Sequence, residues 1–275
     1  MRNKLTDELA ICGMNASLAA GEYHPEKINR LFLREDRLKS FTGICKQLAQ
    51  RKRPYKICED EELERICKSV HHQGVVVMVE EPTIEALSRE ELEFWAAEGK
   101  TGLVLHSIGN DHNLGAIARA AAFFDVTYIV LNEKDAVFKK DISINSDREE
   151  TSVIQEVRLT TSAYRVAEGA FEHLTVRKIS NSASFLKDAS KRLVTIGTDT
   201  RARMRISDLG SIAKKAKPAG GRPGFVLVLG NEEAGLPKEV KDRCSSILRI
   251  PGTGNIESLN VSQAAALFLH AIYEL

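Results

Sequence analysis

The sequence predicts an α/β protein whose larger part is a parallel β-sheet with helices on both faces. The first observation is a series of short runs that are apolar throughout, such as residues 225–229 (FVLVL). Strands with one solvent-exposed face would instead alternate apolar and polar residues. The second observation is the helical spacing of apolar residues between these runs, as in residues 114–124. Strands that alternate with helices favour a parallel sheet covered on both sides.

The length and composition predict about two globular domains. The chain has 275 residues, of which 43% are hydrophobic, so each domain can bury a core. Lysine and arginine number 39 against 38 acidic residues, and the resulting net charge of +1 argues against a polybasic nucleic-acid binder. Local charge still varies along the chain. Basic clusters lie at 51–53, 201–205 and 214–222, and acidic ones at 59–64, 80–98 and 147–156.

The sequence has no membrane-helix, signal-peptide or metal-binding pattern, and this guides the expected location and metal content. No apolar run reaches the ~18–20 residues of a membrane helix, and the polar N-terminus has no signal-peptide core. We therefore expect a cytoplasmic protein with no membrane contact. Five scattered cysteines without a Cys-x-x-Cys pair are interpreted as small core residues rather than zinc ligands or disulfides. The histidine and acid spacings suggest no metal site.

Residues 1–79 predict a small α/β domain, and residues 80–101 an acidic linker with one helix. The predicted order in the first domain is helix 13–21, strand 29–34, helix 37–51, strand 55–58, helix 60–69 and strand 74–79. Residues 102–275 form the second predicted domain. Its strands are predicted at 103–106, 128–131, 174–179, 193–196, 225–229 and 247–250, with helices at 114–124, 184–191, 236–243 and 263–273 and a mobile loop at 214–224.

Ligands of such sheets bind beyond the carboxyl ends of the strands, and three strand ends carry polar, glycine-containing clusters. In the first, residues 108–119, a helix is expected to begin near Leu114 with Asn113 as its N-cap. Arg119 would then present a fixed cation from a helix rich in alanine. The alternative interpretation is an ordinary capping loop.

The second cluster, residues 225–237, delivers Gly230 and Glu232 to the sheet edge. The third, residues 250–262, contains two glycines followed by Ser258, Leu259 and Asn260. An ordinary strand–helix turn is the alternative for the second. The third resembles a dinucleotide loop only superficially, because it lacks the third glycine and no βαβ unit follows it.

Two further features leave alternatives open. The turn His71-His72-Gln73-Gly74 before a strand could contact RNA or could be a plain turn. The basic segments 51–53 and 201–205 are usually solvated surface, but they form a phosphate-binding track if they share a face with Lys214 and Lys215.

In this order, the three clusters resemble the motifs of the SpoU family of RNA ribose 2′-O-methyltransferases, in the SPOUT superfamily. The resemblance covers about residues 101–275 and is carried by Asn113 with Arg119, by Gly230-Asn231-Glu232, and by residues 258–262 (SLNVS). Residues 13–16 (GMNA) and 72–75 (HQGV) extend it, since they are similar to the family's ribosomal-protein-L30-like substrate-binding domain.

The resemblance implies a deep trefoil knot in the C-terminal domain, a feature that no local pattern predicts. It also implies that the knot binds S-adenosylmethionine through backbone groups at Gly230, Ile250 and Leu259. The implied reaction is methylation of a ribose 2′-hydroxyl in ribosomal or transfer RNA. The implied assembly is a homodimer with the helix 260–273 in its interface.

The resemblance makes Arg119 the residue that activates the 2′-hydroxyl. A guanidinium has a pKa above ~12, so we expect Arg119 to act by its charge rather than as a base. Asn113, Glu232, Ser258 and Asn260 are expected to complete the catalytic set by orienting Arg119, the ribose and the knot loops.

The chain departs from the family pattern at two places. Asp111 stands where a proline is usual, and the segment 132–162 is longer and more charged than is typical. Two rival hypotheses remain. One is a catalytically inactive RNA-binding protein that keeps the fold, which would fail to bind S-adenosylmethionine. The other is a Rossmann-like nucleotide enzyme, which predicts a Gly-x-Gly loop after the first strand where this chain has Gly109-Asn110-Asp111.

Overall fold

A computed structural model describes residues 8–133, 158–216 and 221–275. Its helices, numbered along the chain, are α1 (Met14–Tyr23), α2 (Leu38–Gln50), α3 (Asp60–Cys67), α4 (Arg89–Ala97), α5 (Asp111–Phe123), α6 (Thr161–Ala167), α7 (Ser182–Ala189), α8 (Leu209–Ala216), α9 (Lys238–Lys241) and α10 (Val261–Tyr273). Its strands are β1 (Glu8–Cys12), β2 (Ile28–Leu33), β3 (Tyr55–Ile57), β4 (Val75–Glu80), β5 (Thr101–Leu105), β6 (Val126–Asn132), β7 (Thr175–Ile179), β8 (Val194–Thr198), β9 (Met204–Arg205), β10 (Phe225–Leu229) and β11 (Ser246–Arg249). Within these ranges, no helix combines the length and apolar character that crossing a membrane requires.

The chain forms two compact units, and neither is one continuous segment. The first unit comprises residues 8–83, 111–123 and 159–174. The second comprises residues 84–110, 124–133, 158, 175–216 and 221–275. The predicted domains 1–79 and 102–275, with the linker 80–101, are continuous stretches of chain, and their boundaries stay a prediction.

The first unit contains a four-stranded sheet in the order β1-β4-β2-β3. Strands β1 and β2 run antiparallel to β4, and β3 runs parallel to β2. This confirms the predicted small α/β fold, to which the structure adds β1. That strand was not predicted, and its five residues are all buried. It pairs along its whole length with β4, the central apolar strand.

Helices α5 and α6 belong to the first unit and pack against each other. A Cβ on Gly115 of α5 would lie 2.6 Å from the Ala163 carbonyl oxygen of α6, so the two helices cross at this glycine. Helix α6 also contacts β1. The helix that carries Asn113 and Arg119 is thus held by contacts within the first unit.

The second unit confirms the predicted parallel sheet. Its described strands lie in the order β7-β6-β5-β10-β8-β11-β9, and every neighbouring pair is parallel. Strand β10 at the centre is buried along its whole length. On one face Trp95 of α4 is fully buried, and its indole donates hydrogen bonds to the carbonyl oxygens of Lys100 (3.0 Å) and Phe225 (3.2 Å). The predicted trefoil knot stays a prediction.

The five cysteines confirm their interpretation as core residues. All five are free thiols, four of them buried and Cys244 half-buried. In the parts of the chain that the structure describes, no group of three histidine, cysteine or acidic side chains converges as a metal site would require.

Three predictions of local structure were wrong. Helix α5 begins at Asp111 and not near Leu114, so Asn113 is a residue of the first turn rather than the N-cap. A carboxylate in the first turn suits the positive end of the helix dipole, which favours the earlier start. The predicted helix 236–243 shortens to the four residues of α9. Lys214 and Lys215 end α8 instead of opening a mobile loop, and residues 217–220 of that loop lie outside the described residues.

Candidate functional site

The carboxyl ends of the parallel strands form one edge of the second unit's sheet. Gly230 follows β10 and Ile250 follows β11, and only β8 separates these two strands. Parallel strands end at the same edge, so the structure places these two predicted cofactor-binding positions two strands apart on it. Asp199, directly after β8, lies between them along the strand order.

Asn231 builds the turn after β10. Its Oδ1 accepts hydrogen bonds from the backbone N–H groups of Glu233 (2.9 Å) and Ala234 (3.0 Å). Its Nδ2 donates to the Ser107 carbonyl oxygen (3.0 Å), which ties this turn to the loop after β5. Glu232 is exposed in the turn that Asn231 shapes. No separate role was predicted for Asn231, although an asparagine just after a buried strand and a glycine is a recognised turn signal.

The backbone of this turn is packed closely at Gly230. A Cβ on Gly230 would lie 2.5 Å from the Gly235 carbonyl carbon, closer than real Cβ contacts allow. Only glycine therefore fits at this position of the sheet edge.

The segment after β11 is exposed at ten consecutive residues, 251–260. Two apolar side chains are among them, since Ile256 is 81% exposed and Leu259 is 48% exposed. Ser258 is exposed in the same loop. Asn260 closes it as the N-cap of α10, where its Oδ1 accepts from the Ser262 backbone N–H (2.8 Å) and hydroxyl (2.6 Å). The orienting role predicted for Asn260 stays a prediction, and the structure shows that this side chain holds the loop to the helix.

The electrostatics at the end of β8 are set by Asp199. Its Oδ2 lies 2.8 Å from the Lys241 ammonium of α9, and its Oδ1 accepts from the Arg201 backbone N–H at 2.8 Å. The hydrogen bond from Lys241, together with that from Arg201, holds the pKa of Asp199 below its ordinary value. The carboxylate is therefore charged at neutral pH and joins α9 to the sheet edge.

Helix α5 presents the two predicted catalytic residues of the first unit in different ways. Asn113 is buried in the first turn, with 7% of its surface exposed. Arg119 is exposed, and its Nη1 lies 3.0 Å from Oε1 of Glu168, directly after α6. The Glu168 Oε2 atom in turn accepts a hydrogen bond from Nδ2 of Asn15 on α1 (3.1 Å). Glu168 was not among the predicted site residues. The signal that could have identified it is an acid directly before a glycine at the end of a helix.

The turn between α3 and β4 serves the fold. Gln73 Oε1 accepts from the Met14 backbone N–H (2.7 Å), the first residue of α1. His72 is buried, and its Nδ1 accepts from the Gly74 backbone N–H (3.0 Å). These contacts explain why residues 13–16 and 72–75 form one structural feature, and they favour the plain turn over an RNA-contacting one.

The predicted site residues divide between the two units. Asn113 and Arg119 lie in the first unit. The second unit holds Gly230, Glu232, Ile250, Ser258, Leu259 and Asn260.

Family models match two ranges of the chain. Residues 10–85 match the model for RNA 2′-O ribose methyltransferase substrate binding. Residues 149–270 match the SpoU rRNA methylase family. Asn113 and Arg119 lie between these two ranges, so their assignment depends on the motif and on the geometry above.

Whole-chain comparisons agree with the family models. YacO of Bacillus subtilis, a protein of the TrmH family, is 31% identical over 74% of this chain and 70% of its own length. The 23S rRNA (guanosine-2′-O-)-methyltransferase RlmB of Bordetella pertussis is 27% identical over 94% of both chains.

Solved structures share the fold. An rRNA methyltransferase from Sinorhizobium meliloti superposes with a TM-score of 0.68 at 18% identity, covering 98% of this chain and 88% of that one. The SpoU methyltransferase AviRb from Streptomyces viridochromogenes gives a TM-score of 0.68 at 18% identity, covering 100% and 92%. With its substrate-binding and methylase ranges in the family's order, the chain belongs to the SpoU, or TrmH, family of RNA 2′-O-methyltransferases.

Proposed function

We propose that this protein transfers a methyl group from S-adenosylmethionine to the 2′-hydroxyl of a ribose in ribosomal or transfer RNA. Family membership and relatives named for this reaction support the proposal. The observation that carries it is the arrangement of Arg119, which is exposed yet held by an ion pair on a helix that also carries the buried Asn113. An RNA substrate of this kind also implies a cytoplasmic enzyme.

The sheet edge of the second unit fits S-adenosylmethionine in its chemistry. The loop 251–260 offers exposed backbone groups together with the apolar side chains of Ile256 and Leu259. Among the described residues, nothing lies within 4 Å of a Cβ built on Gly252 or Gly254, so there is open space beside this backbone. Backbone polar groups beside apolar side chains are what an adenine ring and its ribose require. We assign Gly230, Ile250 and Leu259 to hold the cofactor.

The cofactor supplies an electrophilic methyl group on a positively charged sulfur. The protein must make the 2′-oxygen nucleophilic. As the O–C bond forms and the S–C bond breaks, the hydroxyl proton passes to water. Arg119 promotes this by charge: a fixed guanidinium near the hydroxyl stabilises developing negative charge on oxygen and lowers the pKa of the hydroxyl. The N–H donors of the Arg119 guanidinium also suit the phosphate next to this ribose.

The other four residues of the catalytic set are assigned orienting roles. Asn113 is buried in the first turn of α5 and so fixes the start of the helix that carries Arg119. Glu232 and Ser258 are exposed in loops at the carboxyl ends of β10 and β11. We assign them to orient the ribose and these loops. Asn260 holds the loop 251–260 to α10. The trefoil knot and the homodimer belong to this proposal as well.

The replacement of Arg119 by alanine tests the assignment. Arg119→Ala should reduce methyl transfer by at least about 100-fold, because electrostatic groups of this kind contribute on that order. Binding of S-adenosylmethionine, measured by calorimetry, should stay within about twofold of wild type. The reaction is followed with tritium-labelled cofactor and total RNA from cells that lack this gene.

Arg89→Ala is the matched control, because Arg89 is also an exposed helical arginine in an ion pair, with Glu93 at 3.0 Å on α4. It should leave the rate unchanged. Near-normal turnover by Arg119→Ala would remove Arg119 from the mechanism. A wild-type protein that binds no S-adenosylmethionine would instead favour a catalytically inactive RNA-binding protein.

A further inference from the structure

Glu168 occupies a backbone position that a glutamate does not favour. Its φ is +49°, in the left-handed region, and it directly follows the last residue of α6. Glycine and asparagine are the usual residues at such a helix end, since a side chain there costs about 1–2 kcal/mol. Backbone preference therefore does not account for a glutamate here.

The position of Glu168 is fixed by close packing of its neighbour. A Cβ on Gly169 would lie 2.6 Å from the Ala19 Cβ of α1, so α6 ends directly against α1. The Glu168 backbone N–H donates to the Tyr164 carbonyl oxygen (3.2 Å), which closes the helix. The backbone that carries the Glu168 carboxylate is therefore fixed in position between α1 and α5.

Both carboxylate oxygens of Glu168 are in use. Oε1 lies 3.0 Å from Nη1 of Arg119, and Oε2 accepts from Nδ2 of Asn15 at 3.1 Å. One side chain therefore joins the helix that carries Arg119 to the helix that carries Asn15. Asn15 lies within the range that matches the substrate-binding model.

Stability does not explain this bridge. The side chains of Arg119 and Glu168 are 60% and 37% exposed, and ion pairs this exposed contribute little to folding. Orientation does explain it, because an arginine side chain has many rotamers and one anchored nitrogen restricts them. The ion pair uses Nη1, while a guanidinium carries further N–H donors on Nη2 and Nε.

We infer that Glu168 is a positioning residue that orients Arg119 for methyl transfer, and that Asn15 orients Glu168 in turn. This inference rests on the proposed function, in which Arg119 acts on the 2′-hydroxyl. It adds to that proposal a hydrogen-bonded path from α1 of the substrate-binding segment to the catalytic arginine.

Glu168→Gly separates positioning from folding. Glycine suits a φ of +49°, so the melting temperature should stay the same or rise. The single-turnover rate with total RNA from cells lacking this gene should fall about 10- to 100-fold, because a misplaced catalytic group costs on that order. The dissociation constant for S-adenosylmethionine should not change. Glu22→Gln, at an exposed acid of α1, is the control for loss of one negative charge and should react at the wild-type rate.

Two further variants test whether Glu168 acts through the named partners. Adding Glu168→Gly to Arg119→Ala should cause no further loss of rate, because the residue to be positioned is already absent. Asn15→Ala should lower the rate about threefold in the wild-type background and have no effect in the Glu168→Gly background. Full additivity in either pair would overturn the inference.

The outcomes distinguish this inference from the proposed function. If Arg119→Ala is active, the proposed role of Arg119 fails. If Arg119→Ala is inactive and Glu168→Gly reacts at the wild-type rate, only the positioning role fails. Should Glu168→Gly not fold, Glu168→Asn decides in its place, because asparagine also tolerates the left-handed region. The same loss of rate is expected for it, and a wild-type rate would overturn the inference.

Discussion

Asn231 shows how one side chain can hold two segments of the chain together. Its two amide atoms hold the turn after β10 and the loop after β5 in a single arrangement. Glu168 does the same in the first unit with its two carboxylate oxygens. Asn231 lies within the motif Gly230-Asn231-Glu232, whereas Glu168 lies outside the motif residues.

Asp199 is the charged residue whose effect on stability follows most directly from the structure. Its carboxylate is 24% exposed and hydrogen-bonded to Lys241, and its pKa lies below the ordinary value of 3.8. Lowering of the folded-state pKa means that the charged carboxylate stabilises the fold. This stabilisation is fully present above about pH 3.8 and is lost as the pH falls through the lowered pKa of the folded state.

Asp199→Asn should therefore lower the free energy of unfolding at pH 7 by about 0.5–1 kcal/mol, the range for a partly exposed ion pair. The difference from wild type should shrink as the pH falls below 3.8 and the wild-type carboxyl is protonated. This difference in the free energy of unfolding is measured by denaturant unfolding of both proteins at several pH values. Asp188→Asn is the control, because Asp188 pairs with Lys191 in a largely exposed position and should matter less. A difference that grows as the pH falls would contradict the assignment.

At the scale of elements, the crossing of α5 and α6 determines where Asn113 and Arg119 are presented. The helices approach so closely at Gly115 that an added Cβ would meet backbone and not a flexible side chain. Helix α5 also has several alanines, which allow close packing along the rest of the contact. Small residues on α5 thus fix the helix that the proposed mechanism uses.

Gly115→Ala should destabilise the protein, against the usual effect of this substitution in a helix. Alanine gains about 1 kcal/mol in helix propensity, but a Cβ 2.6 Å from the Ala163 carbonyl oxygen forces the helices apart at a cost of about 1–3 kcal/mol. We expect a net loss of up to about 2 kcal/mol in the free energy of unfolding, measured by thermal or denaturant unfolding.

Gly43→Ala on α2 is the matched control for this crossing. It lies in an exposed helix position where nothing is within 4 Å of an added Cβ. It should raise the free energy of unfolding by about 0.5–1 kcal/mol. Equal effects of the two substitutions would show that α5 and α6 do not cross at Gly115.

At the scale of the whole molecule, a net charge of +1 conceals a very uneven distribution. In the first unit, Arg51, Lys52 and Arg53 are exposed directly before the exposed strand β3. In the second, Arg201, Arg203 and Arg205 are exposed around β9. Each unit therefore exposes one basic segment, while the low total charge disfavours indiscriminate binding to polyanions.

The proposed homodimer can be tested on α10. Leu267 and Tyr273 of this helix are 46% and 52% exposed, so α10 has apolar surface that the partner subunit of the proposed homodimer would cover. We expect sedimentation velocity to give about twice the chain mass of 30.5 kDa, and Leu267→Glu to shift the protein towards monomer. Phe94→Glu, at a 53% exposed position of α4, should leave the mass unchanged. A wild-type monomer at micromolar concentration would disprove the homodimer.

Much of the architecture was predictable because it is encoded locally. Segments rich in apolar and β-branched residues predicted strands β2 to β8, β10 and β11, and the runs that are apolar throughout, such as β10, predicted the parallel sheet. Strands β1 and β9 were not predicted. Strand β9 has only two residues, and both strands pair with partners that are distant in the sequence. The start of α5 was misplaced because capping and first-turn residues look alike when only the sequence is read.

By itself, the sequence determined the class of the fold, the family motifs and the residues assigned to catalysis and cofactor binding. Only the tertiary structure decided that α5 and α6 pack into one unit with α1 and β1, that Asn231 ties two strand-end loops together, and that Glu168 lies between Arg119 and Asn15. The physical reason is the range of each interaction. Periodicity and caps act within a few residues, whereas Asn15 and Glu168 are 153 residues apart and meet only when the helices that carry them pack together.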